Sequence, residues 1–282
     1  MTTLALANQK GGVAKTTSVA TLGAALAELG RSVLLVDLDP QACLTFSLGV
    51  DPEDLDLTVR EVLAGECDPA EAVLATAEGV DLLPASIELA RTEAELGTGP
   101  GLAAAGVVRE SLGSPTLAGY DWVLLDCPPS LGGLTVAGLT AADAVLVPLQ
   151  CETLAHRGVG QLLDTVHDVR EHTNPALEVW GVLPTMFDPR TIHARTVLES
   201  IASTFGLQVV GPPIPKSIRF AEAPSVGLTL LSTHRRSKGA QAYRQVARAL
   251  EERRLADRSS ADRSPADRSP GEPVHPEVPV HV

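Results

Sequence analysis

Residues 8–17 read Asn8-Gln9-Lys10-Gly11-Gly12-Val13-Ala14-Lys15-Thr16-Thr17, and this stretch decides the fold of the chain. It follows a short apolar run from Leu4 to Ala7 and leads into a segment of helical period from Thr16 to Leu29. Glycines let the backbone turn its N–H groups inward around an anion, and the start of the following helix adds partial positive charge. The stretch therefore predicts a strand, a phosphate-binding loop and a helix, in that order.

Two side chains of this loop have the chemistry that nucleotide phosphates require. Lys15 supplies a positive charge for the β- and γ-phosphates, and the Thr16 hydroxyl is placed to bind Mg²⁺. The strict pattern G-x-x-x-x-G-K-[ST] is not met, because Gln9 and Ala14 stand at its two glycine positions. Taken alone, the loop also fits an inert glycine turn.

Short apolar runs alternate with longer segments of helical period along the chain. Near-continuous apolar runs are typical of strands covered on both faces, and they predict strands at 4–7, 32–36, 80–83, 122–125, 144–148 and 179–183. The predicted helices are 16–29, 154–171, 192–205 and 238–255. This alternation indicates an α/β fold with an open, mostly parallel sheet and helices on both faces. In such sheets ligands bind beyond the carboxyl ends of the strands.

Aspartates end two of the predicted strands. Asp37 and Asp39 follow the second strand, and Asp126 follows the strand that begins at Trp122. A carboxylate directly after a strand suits a hydrated Mg²⁺, and one on a neighbouring strand can orient an attacking water. Acidic residues at strand ends are often only turn formers, but their position beside a lysine-bearing loop favours the chemical role.

The charge of the chain is strongly negative but unevenly distributed. With 22 basic and 35 acidic residues the net charge is −13, which excludes a uniformly basic nucleic-acid binder. Residues 211–250 nevertheless carry seven basic residues against Glu222 alone. This segment predicts either a cationic binding face or ordinary solvated helix surfaces.

The remaining composition points to a cytoplasmic protein without a membrane anchor. No apolar run reaches the roughly 18 residues that a membrane-spanning helix needs. The four cysteines form no C-x-x-C pair and are interpreted as reduced thiols. After Arg254 a pentapeptide beginning Ala-Asp-Arg-Ser is repeated three times. Such polar repeats offer little apolar area to offset the entropy of ordering, so we predict one folded domain, 1–254, and a disordered tail, 255–282.

The motifs together resemble the ParA/MinD group of P-loop ATPases, which has a three-layer α/β fold. Residues 10–16 resemble its deviant Walker A motif with an additional signature lysine, 37–41 its second motif and 124–132 its third. More distal stretches, at 148–152, 185–191 and 214–225, resemble the chromosomal ParA (Soj) branch. The similarity extends over roughly residues 2 to 250.

The resemblance implies a role for each residue of the predicted site. Two subunits close over two ATP molecules, and Lys10 reaches the partner's phosphates while Lys15 serves its own. Thr16 binds Mg²⁺ directly and Asp126 binds it through water. Asp39, with Asp37 as the alternative, orients the hydrolytic water. The predicted nucleotide-binding residues are Lys10, Gly11, Gly12, Val13, Ala14, Lys15, Thr16, Thr17 and Pro215.

The resemblance also implies partners. The ATP-bound homodimer binds double-stranded DNA without sequence preference, and a centromere-binding ParB-type protein stimulates slow hydrolysis and release. The chain is accordingly expected on the nucleoid. Arg190 and Arg219 match the DNA-contacting arginines of the family, and Lys216, Arg235 and Arg236 are added from charge alone.

Three other functions are left open by the sequence. A MinD-like ATPase that cycles on the membrane needs a C-terminal amphipathic helix rich in lysine. An amidoligase of the wider superfamily needs a substrate domain. A DNA-binding scaffold with an inactive ATP site is suggested only by Ala14, whose methyl group stands where the family has glycine.

Overall fold

The computed structural model describes residues 1–98 and 105–261. Its centre is a seven-stranded sheet with the spatial order β3-β4-β2-β5-β1-β6-β7. All neighbouring strands are parallel except β3, which is antiparallel to β4. The strands are β1 Thr2–Leu6, β2 Val33–Asp37, β3 Leu74–Ala75, β4 Asp81–Leu83, β5 Trp122–Asp126, β6 Ala144–Gln150 and β7 Glu178–Thr185.

Helices connect the strands and cover both faces of the sheet. The longer ones are α1 Lys15–Glu28, α5 Leu89–Thr98, α7 Gly133–Ala141, α8 Ala155–His172, α9 Ile192–Phe205 and α12 Lys238–Ala261. The shorter ones are α2 Cys43–Ser47, α3 Val59–Leu63, α4 Pro69–Ala72, α6 Val107–Leu112, α10 Arg219–Glu222 and α11 Leu230–Thr233. No described helix is both long and apolar enough to cross a membrane.

The core has two layers because strand side chains alternate between the faces of the sheet. On β5, Trp122 and Leu124 pack on the face covered by α1 and α12, whereas Val123 and Leu125 pack on the opposite face. All four side chains are fully buried. This confirms the predicted three-layer α/β architecture, and it brings the carboxyl ends of β1, β2 and β5 to one edge of the sheet.

The predicted elements are all present, and two details are corrected. Strand ends differ from the prediction by at most two residues, but the two-residue edge strand β3 was not predicted. The last helix continues to Ala261, past the predicted helix end at 255, and the first pentapeptide repeat is helical. Arg253 lies 4.0 Å from Asp257 in this extension, an i,i+4 pair that adds a small stabilisation. The predicted disorder of 262–282 lies outside the described residues.

The C-terminal helix is fixed to α1 at one end of its packed stretch and to the sheet at the other. Tyr243 is fully buried and its hydroxyl lies 2.8 Å from that of Ser18 on α1. Eight residues further along, the Glu251 carboxylate accepts a hydrogen bond of 2.9 Å from Trp122 Nε1. These contacts make α12 part of the core, up to the buried Arg254.

Candidate active site

The loop between β1 and α1 has the backbone conformation of an anion cradle. Gly12 and Ala14 both have left-handed φ values, +73° and +63°. A Cβ on Gly12 would meet nothing within 4 Å, so this position requires glycine for its backbone conformation and not for space. Ala14 is the N-cap of α1, and no side chain caps that terminus. The first N–H groups of α1 are therefore available to an external anion.

Two buried polar side chains hold this loop against the neighbouring strands. Asn8 donates a hydrogen bond of 2.8 Å from Nδ2 to the Pro148 carbonyl and accepts one of 2.9 Å from the Lys10 amide. The Thr185 hydroxyl, at the end of β7, donates to the Val13 carbonyl at 2.9 Å. Asn8 lies in the loop stretch and Thr185 in the stretch 185–191, but the sequence assigned neither a role, because their hydrogen-bond partners lie 140 and 172 residues away.

Lys15 lies in the centre of the predicted site and is buried. Burial lowers the pKa of its ammonium group, and the nearby Asp126 and Asp39 carboxylates oppose that shift. The structure thus brings Lys15 and these two predicted aspartates together. Their opposite charges compensate one another in a region of low dielectric.

Asp37 and Asp39 occupy different environments although they are two residues apart. Asp37 is fully buried, and its carboxylate accepts hydrogen bonds from the Asp39 amide, the Thr45 amide and the Thr45 hydroxyl at 2.8–3.1 Å. Burial raises its pKa to about 6. The Asp39 carboxylate accepts only the Gln41 amide, at 3.0 Å, among the described residues. Asp39 is therefore the carboxylate with an oxygen free for water, and Asp37 is engaged in fixing the loop after β2.

Asp126 is the aspartate of this site whose carboxylate the structure leaves without a hydrogen bond within the described part of the chain. Its side chain is fully buried, and neither carboxylate oxygen has a hydrogen-bond partner among the described residues. Burial, and then the charge of Asp37, raise its pKa well above the usual value, while the nearby Thr16 hydroxyl and Lys15 oppose the shift. A buried carboxylate without partners is costly, so the site is built for a positively charged group or ordered water.

The donor set at Asp126 fits a hydrated Mg²⁺. Within residues 1–98 and 105–261, no cluster of three or more His, Cys, Asp or Glu side chains could hold a metal ion alone. Mg²⁺ typically takes one or two protein ligands, several waters and phosphate oxygens. Thr16 and the unpaired Asp126 could supply that protein share. The four cysteines are free thiols, as predicted.

Lys10 has a different environment from Lys15. Its ammonium group is exposed and forms an ion pair with Glu152, just beyond β6. Glu152 belongs to the stretch 148–152 that the sequence analysis singled out. In this structure Lys10 is therefore paired within its own chain.

A cavity of about 570 Å³ adjoins the loop. Gly12, Ala14 and Thr17 form its loop side, and Pro215 and Lys216 lie opposite. Pro215 is thus brought to the loop, 200 residues away in sequence, through a β-bridge with Phe187 after β7. The size and position of this cavity suit the base and ribose of a bound nucleotide.

Three of the predicted DNA-contacting residues are paired with carboxylates of the same chain. Arg190 is paired with Asp188 through two hydrogen bonds of 3.0 and 2.9 Å, and Arg219 with Glu222 at 2.8 Å. Arg235 lies 4.0 Å from Glu28 at the end of α1, about 20 Å along that helix from the loop.

Other cations extend the positively charged surface. Exposed basic side chains without an ion pair among the described residues include Lys216, Arg236, Lys238, Arg248, Arg157 and Arg195. Arg157 and Arg195, on α8 and α9, were missed because they lie outside the basic segment of the sequence.

These parts have the arrangement of P-loop nucleotide-binding proteins, in which the first strand–helix turn holds the phosphates and later strand ends supply the carboxylates. A sequence profile of the family described as "AAA domain" matches residues 1–179. The chain is 46% identical over 244 residues to the chromosome-partitioning ATPase Soj of Thermus thermophilus, covering 86% of this chain and 93% of that protein. It is 42% identical over 252 residues to the chromosome partitioning protein ParA of Caulobacter vibrioides, with coverages of 89% and 94%.

The chain belongs to the AAA domain family and is a ParA-type ATPase. Solved structures agree with this fold. A protein described as cobyrinic acid a,c-diamide synthase from Mycobacterium smegmatis, crystallised with ADP and magnesium, is 52% identical and has a TM-score of 0.80. The match covers 91% of this chain and 97% of that one. The same protein was also crystallised with an ATP analogue and magnesium.

Proposed function

We propose that this protein is a DNA segregation ATPase whose ATP-bound dimer binds DNA and is released when a ParB-type partner stimulates hydrolysis. The observation that carries the proposal is the unpaired, buried Asp126 carboxylate beside Lys15 and Thr16. This arrangement is costly in a structural protein and useful where Mg²⁺ and triphosphate bind. The ParA and Soj relatives support the biological role.

Each residue of the site has a part in this reaction. Lys15 and the N–H groups at the start of α1 bind the phosphates of ATP. Thr16 and Asp126 would hold Mg²⁺, Asp126 through water, and the ion would supply positive charge opposite the phosphate oxygens. Asp39 orients the attacking water, because its second oxygen has no partner among the described residues. Asp37 keeps the Asp39 backbone in place through a hydrogen bond of 3.1 Å.

Dimer formation requires Lys10 to change partners. In the chain described here its ammonium group is paired with Glu152. On ATP binding, Lys10 leaves this carboxylate and contacts the phosphates of the second subunit. Slow hydrolysis is consistent with a site that is complete only across two chains.

The exposed cations supply the DNA contacts. Arg190, Arg219 and Lys216 lie on segments that follow β7 or line the cavity, and the dimer doubles their number. Phosphate contacts of this kind need no base recognition and weaken steeply with salt. Arg235 and Arg236 form a second, more distant group on the same chain.

Size-exclusion chromatography of Asp39→Ala tests the site and the dimer together. Loss of the water-orienting carboxylate is expected to leave ATP binding intact and to trap a dimer in the presence of Mg-ATP. Lys15→Ala is the matched control, because it removes the phosphate-binding charge and is expected to stay monomeric. An Asp39→Ala protein that elutes as a monomer with ATP would refute the proposal.

The DNA part of the proposal is tested by the steady-state ATPase rate and by binding to a non-specific duplex at two salt concentrations. The wild type is expected to bind only with Mg-ATP and to lose affinity as salt rises. Arg219→Glu is expected to abolish binding without changing the circular dichroism spectrum. Retention of Arg219→Glu on DNA at wild-type affinity would contradict the assignment of this surface.

A membrane-cycling function is not favoured by the last helix. On α12 a row of apolar residues is buried against the body of the protein and is unavailable to a lipid surface: Ala240, Tyr243, Val246, Ala247 and Leu250. Liposome sedimentation with Mg-ATP decides this point. Firm sedimentation would replace the DNA proposal with the MinD-like one.

A second candidate, amide synthesis, rests on the description of the 52% identical Mycobacterium smegmatis protein. Length does not separate the two functions, because this chain covers 97% of that one. Glutamine-dependent amide transfer needs a reactive thiolate, whereas burial raises the pKa of Cys127 to about 12 and that of Cys151 to about 11. Burial and nearby carboxylates also raise the pKa of the more accessible Cys43 and Cys67. Assay of ATP turnover with cobyrinic acid and glutamine is expected to show no stimulation, and clear stimulation would favour the amide reaction.

A further inference from the structure

The phosphate loop contains backbone strain that a glycine would avoid. Ala14 has φ +63° and ψ +35°, a left-handed conformation that side-chain-bearing residues rarely adopt. Its methyl group cannot form the local hydrogen bonds that let Asn or Asp tolerate this region. A second strained residue, Met186 with φ +48°, lines the same cavity. Such conformations persist only where surrounding contacts enforce them.

One contact joins the two strained segments. Thr185, directly before Met186, is 1% exposed, and its hydroxyl donates to the carbonyl of Val13, directly before Ala14. Val13 is itself 1% exposed, so water cannot replace this donor. The hydrogen bond therefore fixes the plane of the Val13–Ala14 peptide from the β7 side.

Fixing this peptide has a direct consequence for phosphate binding. In a trans peptide the C=O and N–H groups point in opposite directions. Since the Val13 carbonyl points to Thr185, the Ala14 N–H points away from β7. Among the described residues this N–H has no hydrogen-bond acceptor, so it is free to bind a phosphate oxygen.

We propose that Thr185 is a positioning residue for ATP binding: its hydroxyl holds the Val13–Ala14 peptide in the strained conformation that presents the Ala14 N–H to the nucleotide. This inference rests on the proposed ATP site. Without the hydroxyl, Ala14 is expected to relax toward negative φ and to turn its N–H away.

The test measures binding of a fluorescent ADP analogue with Mg²⁺ to the full-length chain. Thr185→Val keeps the volume and removes the hydroxyl, and it is expected to weaken binding about 10-fold, the scale of one lost hydrogen bond with a buried acceptor left unpaired. Thr185→Ser keeps the hydroxyl and is expected to stay within about 2-fold of the wild type. In turnover assays KM should rise with Thr185→Val while kcat changes little, because the contact acts equally on bound substrate and transition state.

The double variant Ala14→Gly/Thr185→Val separates positioning from general stability. Glycine adopts the left-handed conformation without strain, so the loss caused by Thr185→Val should shrink to about 3-fold in this background. Should Thr185→Val not fold, Thr185→Ser is compared with Thr185→Ala. These two variants pack alike and differ only in the hydroxyl group. Any of three results would overturn the inference. The Ser and Ala variants could bind with equal affinity, the Val variant could bind like the wild type, or the loss caused by Thr185→Val could be unchanged in the Ala14→Gly background. Failure of the wild type to bind the ADP analogue would instead overturn the proposed function.

Discussion

Asp37→Asn is expected to change how the stability of the protein depends on pH. The Asp37 carboxyl is fully buried and has a pKa of about 6, compared with 3.8 for an unperturbed aspartate. A native pKa above the unfolded one means that the folded state binds the proton more tightly. The carboxyl therefore favours folding most at low pH, and this contribution is lost as pH rises through about 6.

The size of the effect follows from the two pKa values. A separation of about 2 pH units corresponds to a total of ~3 kcal/mol, of which ~2 kcal/mol falls between pH 4.5 and 7.5. Asparagine cannot titrate, so its variant lacks this component. It also loses an acceptor for the Thr45 or Asp39 donors and is expected to be less stable than the wild type at every pH.

Urea denaturation at pH 4.5 and 7.5 measures the difference directly. The stability advantage of the wild type over Asp37→Asn should be larger at pH 4.5 by ~2 kcal/mol. Asp164→Asn, at an exposed position on α8, controls for the removal of one charge. An advantage that is the same at both pH values, or larger at pH 7.5, would show that the pKa of Asp37 is not raised.

Three further outcomes are expected. Glu152→Gln releases Lys10 from its ion pair. Because exposed ion pairs contribute up to ~1 kcal/mol, the ATP concentration needed for dimerisation should fall about 2- to 5-fold, as measured by light scattering. Asp188→Asn removes the carboxylate paired with Arg190 and should strengthen DNA binding ~2- to 5-fold at low salt, an effect that should vanish in an Arg190→Ala background. Deletion of 262–282 should leave thermal stability and ATPase rate unchanged, and a clear loss of either would show that the repeats beyond Ala261 contribute to the folded domain.

The sheet could be predicted because its strands are buried on both faces and therefore appear as continuous apolar runs. The edge strand β3 could not, since two residues, Leu74 and Ala75, carry no periodicity. The end of α12 was misplaced because the repeat composition was taken as disordered. Ala256, Asp257 and Arg258 nevertheless continue a helix that the packed segment before them has already nucleated.

The site could be predicted where chemistry lies in local motifs, and not where it depends on contacts across the fold. The loop, Asp39 and Asp126 were predicted from their spacing, and the structure brings Lys15 of the loop and these two aspartates together. Asn8 and Thr185 were assigned no role, because hydrogen bonds across the sheet leave no local signal. The acidic partner of Arg219 could have been inferred, since Glu222 follows it by one helical turn.

The unpaired carboxylate beside Lys15 links folding to the supply of nucleotide. A protein that carries such a group in its interior is least stable when empty and gains from any ligand that compensates the charge. Proteases in the cell degrade molecules that have transiently opened. The subunits most exposed to proteases are therefore expected to be those that have released ADP and not yet bound ATP. The carboxylate that we propose for metal binding is thus expected to limit the lifetime of the nucleotide-free enzyme.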